Sequence, residues 1–192
     1  MAAVQREPLV AGAPMAFTVL RVPFFLEPDY STGEEFEETN RVRLIRKWGG
    51  QAGWEEQKRR HGLKERGREV GIQHFNLDRI ASSTVASHRL VQWVTKTLGV
   101  NKAEEMYAEL NSRHFEGGQK LNDKGMLTSV AANVGADPDE ARRFLDSDQG
   151  LSEIRAAQRQ LRDLGVSGIP TLILGGKWQL PSGAIGSEML VQ

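Results

Sequence analysis

The chain has 192 residues with 25 basic and 25 acidic side chains, so it carries no net field to draw in nucleic acid or an anionic membrane. A 39% hydrophobic content supports one domain with a core, and no apolar run approaches the roughly 20 residues of a membrane span. There is no cysteine, which excludes a disulfide, a thiolate nucleophile or a cysteine metal site built from these residues.

Residues 1–16 are small and proline-broken and read as an irregular arm. Met1 to Met15 lacks the basic start and continuous apolar centre of a secretory signal, so the expectation is a soluble protein of the cytoplasm or an organelle matrix. Phe17 to Val22 is apolar and β-branched and stops at Pro23, which predicts a strand buried on both faces. From Glu35 to Trp48, Val42, Leu44, Ile45 and Trp48 give a helix with an apolar face, ended by Gly49-Gly50. Trp54 to Arg68 interleaves acids and bases and reads as a solvated helix; a basic ligand patch is the sharper alternative.

Ser83 and Thr84 can cap a helix to Leu98 with the buried stripe Leu90, Val91, Val94 and Leu98. Asn101 with Glu104 predicts a capping box for a helix that places Met106, Tyr107, Leu110 and His114 on one face. Asp123 opens the next helix, with Leu127, Val130, Ala131 and Val134 in register, and Asp137-Pro138 opens a short one carrying Ala141, Phe144 and Leu145. Gln149 to Leu164 is the last long helix, burying Leu151, Ile154, Leu161 and Leu164. Gly165 stops it. Pro170 then precedes the strand Thr171 to Leu174, and Gly175-Gly176 turns the chain into Lys177 to Leu180, a β-hairpin. A further short helix is expected from Ser187.

Chemical motifs are scarce. His61, His74, His88 and His114 lack the spacing of a zinc site, and His88 and His114, beside apolar stripes, read as packed, hydrogen-bonded residues. Gly165, Gly168, Gly175 and Gly176 do not open a helix after a strand, so they are turn residues and not a phosphate loop. Asp146 and Asp148 fit capping and solvent exposure better than paired catalysis, and Ser167 lacks a nucleophile elbow. No catalytic or metal residue is assigned.

The order of landmarks carries a resemblance. Val22-Pro23-Phe24-Phe25-Leu26-Glu27-Pro28, Ala86-Ser87-His88-Arg89-Leu90, Arg113-His114-Phe115-Glu116-Gly117-Gly118 and Gly165-Val166-Ser167-Gly168-Ile169-Pro170-Thr171 occur in the sequence and order of the DsbA-like thioredoxin-fold family. The chain resembles its branch of FrnE-type oxidoreductases, 2-hydroxychromene-2-carboxylate isomerases and kappa-class glutathione transferases, from Phe17 to the C-terminus. The resemblance implies an α/β fold: an incomplete thioredoxin-like sheet from residues 17–34 and 149–192, with an inserted helical part at 35–148. Locally a trans Pro170 is favoured, because cis is adopted by only about one X-Pro bond in twenty. The family's proline at this place is cis, which makes cis the expectation.

The family's first strand and its Cys-x-x-Cys helix find no counterpart in residues 1–16, so no catalytic residue carries over. In the family that strand is central, and each buried backbone group left unpaired costs about 1–3 kcal/mol. Val4 to Ala16 or a partner chain is expected to supply the pairing. The implied function is a non-catalytic binding or structural subunit, with Gly168, Ile169, Pro170 and Thr171 as the surface for a protein or extended peptide. The alternative is a truncated member of an oxidoreductase or glutathione-dependent transferase or isomerase family. No cofactor is assigned, glutathione being the one left open.

Overall fold

The computed structural model describes residues 18–183, and the arm Val4 to Ala16 and the helix expected from Ser187 lie outside them. Two compact units divide the chain: Glu27–Leu151, and Met1–Leu26 with Ser152–Gln192.

The first unit is helical. Its β1 (Glu38–Thr39) pairs antiparallel with β2 (Ile80–Ala81), Glu38 opposite Ala81 and Thr39 opposite Ile80. Helix α1 (Asn40–Lys47) follows β1 directly, because the Thr39 side chain accepts from the Val42 amide and caps it. This shortens the helix expected from Glu35. Its apolar face is only partly covered: Leu44 and Ile45 are half-buried and Val42 and Trp48 exposed, while Asn40 is the buried residue of the helix. Asn40 earns that place by hydrogen bonding, its amide donating to Arg79 O at 2.9 Å and its Nδ2 to Leu77 O at 3.1 Å. The charged run becomes two helices, α2 (Gln51–His61) and α3 (Leu63–Glu69), divided by Gly62 in the left-handed conformation.

The core lies among α4 (Val85–Leu98), α5 (Val100–Phe115), α6 (Lys124–Asn133) and α7 (Pro138–Asp146). Leu90 and Val94 from α4, Met106 from α5, Leu127 and Val130 from α6 and Ala141 from α7 are fully enclosed in one cluster. A leucine buried to this degree contributes about 1.5–3 kcal/mol relative to exposure, so these helices account for most of the unit's apolar stabilisation. Leu98, predicted in the stripe, is exposed where α4 ends. The capping box at Asn101 does not form: α5 begins at Val100 behind Gly99, with no side-chain cap, which places Asn101 inside the first turn. Asp123 and Asp137 do cap, accepting from the amides of Met126 (2.9 Å) and Glu140 (2.8 Å). Asp123→Ala should therefore destabilise the protein by about 1 kcal/mol in a urea titration. Asp146 holds Lys124 and Arg142 at 2.7 and 2.8 Å, and these hydrogen bonds keep its carboxyl below the usual range.

In the second unit, α8 runs through Leu151–Asp163 with Ile154 and Leu161 buried; Leu164, expected inside, is exposed. Residues 18–22 form no strand, and Leu20 and Val22 are exposed. The β propensity of that segment finds no pairing strand among the described residues, and a lone extended segment has no ladder to form. β3 (Ile173–Leu174) and β4 (Trp178–Gln179) make an antiparallel hairpin, shorter than the two strands predicted.

Candidate functional site

The approach to the hairpin is dictated by a helix cap. Gly165, at φ 72°, donates to Arg162 O at 2.9 Å, and the next amide, Val166, donates to Leu161 O at 2.9 Å. This is the Schellman pattern, which brings the side chains of the residues at its two ends together. Leu161 and Val166 are accordingly both buried, and they anchor the start of the loop.

Gly168, Ile169, Pro170 and Thr171 lie immediately beyond, on one short outward-facing segment. The Ile169–Pro170 bond is cis. A Cβ added to Gly168 would meet nothing within 4 Å, and the Ile169 side chain is 51% exposed. Thr171 fastens the segment from inside: its hydroxyl donates to Gly168 O at 2.7 Å and lies 2.9 Å from Ser182 Oγ. Gly183 N donates to Pro170 O at 2.9 Å, closing the far end.

The turn follows from Gly175 and Gly176, both at positive φ, with Lys177 N donating back to Leu174 O at 3.1 Å. The register sets Ile173 opposite Gln179 and Leu174 opposite Trp178, and Leu180 N donates to Leu172 O at 2.9 Å. In an antiparallel pair, alternate residues bond across the ladder. Leu172 and Leu174 thus turn their backbone groups toward β4, and Ile173 turns its own away. Among the described residues β3 has β4 as its one neighbour, and none of their strands pairs this outer edge. Side chains alternate too, so Leu172, Leu174 and Trp178 share a face, and all three are exposed, Trp178 by 66%.

A second cluster, in the helical unit, escaped sequence reasoning. Arg79 Nε donates to His114 Nε2 at 3.2 Å, and His114 Nδ1 lies 2.8 Å from Gln119 O, so the ring must be neutral with its proton on Nδ1. The guanidinium stacks over Phe115 and Phe75, 4.9 and 5.5 Å from their centroids, and donates to Asn76 O at 3.2 Å. Burial pushes Arg79 down to about 10, aided by the charge of Arg43. Burial likewise pushes His114 down to about 4, against the hydrogen bond to Gln119 and with the help of Arg79 and Arg43. His114 was legible as a packed histidine; a lone arginine in a polar loop gives no periodic signal, so its partner was not. The described residues contain no group of His, Asp and Glu able to hold a metal, and no helix among them is long and apolar enough to cross a membrane.

Comparison with known proteins fits this geometry. The fold is similar to that of a probable DsbA oxidoreductase from Streptomyces coelicolor, with a TM-score of 0.75 at 23% identity, over 88% of this chain and 70% of that one. Among curated proteins none matches. The family model described as a DSBA-like thioredoxin domain matches residues 55–192, which takes in the core helices and the whole hairpin. The chain belongs to the DSBA-like thioredoxin domain family.

Proposed function

We propose that this chain is a non-catalytic, protein-binding member of its family, which pairs an extended segment of its partner along the outer edge of β3. The observation that carries this reading is the hairpin itself, where a strand edge that no strand among the described residues pairs lies beside an exposed apolar face of Leu172, Leu174 and Trp178. An edge of that kind presents unpaired N–H and C=O groups, and strand addition satisfies them while the side chains add apolar burial. Gly168, Ile169, Pro170 and Thr171 continue the same surface. Thiol–disulfide exchange requires an attacking thiolate, and no residue of this sequence can form one. The FrnE-type branch is the part of the family whose landmarks the sequence follows.

Native mass spectrometry of the protein from its source, followed by hydrogen exchange of whatever complex is found, tests this. A stoichiometric complex is expected, with the Thr171 and Ile173 amides gaining protection and the double variant Leu174→Ser, Trp178→Ser releasing the partner while far-UV CD is unchanged. A free monomer, or a complex that protects other amides, would sink the reading. Heat on titration with glutathione, abolished by substitutions in the hairpin, would favour a glutathione-dependent relative instead.

A further inference from the structure

The helical unit contains a cleft of about 350 Å³ lined by Lys64, Arg68, Gln73, His74, Phe75, Asn76 and Glu116. Helix α3 supplies the two cations, the segment after it supplies the floor, and the residue just beyond α5 supplies the carboxylate. That volume is at the small end of ligand sites and holds one ring with a polar substituent.

Charge in this cleft is poorly compensated. Lys64 and Arg68 stand one helical turn apart, where like charges repel, and neither forms an ion pair among the described residues. Beneath the floor, Arg79 stacks against Phe75 and gives its protons to Asn76 O and to neutral His114, with no carboxylate among its described partners. Glu116, on the wall, already accepts from the Ser112 hydroxyl through Oε1. Lys64 and Arg68 against the one carboxylate of Glu116 leave the lining with more cationic than anionic side chains.

The floor is also fixed before any ligand arrives. Asn76 N donates to Phe115 O at 2.6 Å, Asn76 Oδ1 accepts from Asp78 N at 2.9 Å, and Ile72 N donates to Gly67 O at 2.8 Å. Gly67 is buried, and a Cβ there would lie 3.5 Å from Ile72 and 3.6 Å from Phe75, so the segment packs closely on α3. Preorganised walls lower the ordering cost of binding.

We infer that this cleft binds a small aromatic carboxylate, its anion held by Lys64 and Arg68 and its ring set against Phe75. The cationic excess suits an anion, and the half-buried phenyl ring gives an apolar body a surface to cover. Glu116 adds a preference for a ring bearing a hydroxyl donor. This site is separate in its chemistry from the hairpin and does not depend on the binding role proposed for it.

Titration of the intact chain with benzoate, 4-hydroxybenzoate, benzamide and inorganic phosphate, followed by amide chemical shifts, tests the assignment. Benzoate should saturate shifts at Phe75 and Asn76, 4-hydroxybenzoate should bind more tightly, and benzamide and phosphate should bind at least about tenfold more weakly, because each lacks one half of the charged, apolar pair. Lys64→Gln with Arg68→Gln, both at exposed positions, should weaken benzoate by about tenfold or more while the spectrum of the core stays unchanged. Benzamide or phosphate binding as well as benzoate, or a double variant with undiminished benzoate affinity, would overturn the proposal.

Discussion

Arg89→Met should destabilise the protein by about 3–5 kcal/mol, more than any surface substitution. Arg89 is one of the few buried charges in the helical unit, at 6% exposure. Its Nε donates to Gln149 O at 2.8 Å, and its Nη2 donates to Phe144 O at 3.0 Å and to Ser147 O. These carbonyls belong to the end of α7 and the turn that follows, groups that a helix leaves without partners of its own. Methionine keeps much of the apolar stem but takes the donor from Gln149 O and Ser147 O, while Phe144 O keeps the Ser147 amide and hydroxyl. The guanidinium also lies 5.0 Å from the Phe144 ring centroid, and Phe144 stacks on Trp93 at 5.5 Å, so the loss will loosen core packing as well. Burial lowers the arginine's pKa while Asp148 opposes the shift, and a guanidinium remains charged at every pH where the protein would be studied. Urea unfolding should show the fall in midpoint, with Arg89→Lys recovering only part of it, since one ammonium cannot span three carbonyls in a fixed fork. A loss below about 1 kcal/mol would mean that water satisfies these groups and that the arginine is not the staple of the turn.

The second large effect is on acid stability. His114 has its folded pKa pushed down to about 4, chiefly by burial, against 6.5 for the ordinary group. Between those values the unfolded chain binds a proton that the folded one refuses, so stability rises with pH through the window. The contribution is fully present above pH 6.5 and is lost progressively as pH falls toward 4, on the order of 2–3 kcal/mol in all. Protonation would also place an N–H on Nε2 facing the Arg79 guanidinium, turning a hydrogen bond into a contact between two donors. His114→Gln keeps an amide that can accept and donate but does not titrate. Its unfolding free energy should be flatter between pH 4 and 6.5, while the steeper limb at lower pH, where Asp146 loses its partners Arg142 and Lys124, should persist. An unchanged slope in the variant, or an NMR titration of the His114 ring with a midpoint near 6.5, would refute the assignment.

Local signals in the sequence were strongest where the chain closes its own hydrogen bonds. Asp123 and Asp137 were readable as caps because the acceptor and its amide are three residues apart, and Gly165 and Gly175-Gly176 because the required φ belongs to glycine. The stripes of α4 to α7 were readable because burial there follows helical periodicity. Leu98, Leu164, Val42 and Trp48 broke the rule at helix ends and on a helix whose predicted face is only partly covered. The segment at residues 18–22 broke it differently, since a strand exists only when another strand accepts its bonds.

The sequence by itself determined the run of core helices, the family's Gly165 to Thr171 landmark and the absence of a thiol, because these depend on residue type and near-neighbour spacing. Only the tertiary structure decided that β3 pairs with β4 alone among the described residues, that Arg89 joins α4 to the end of α7, and that Arg79 meets His114 across 35 positions. The reason is physical: partners distant in sequence meet only when intervening helices have packed, and no local periodicity records which distant donor will face a given carbonyl.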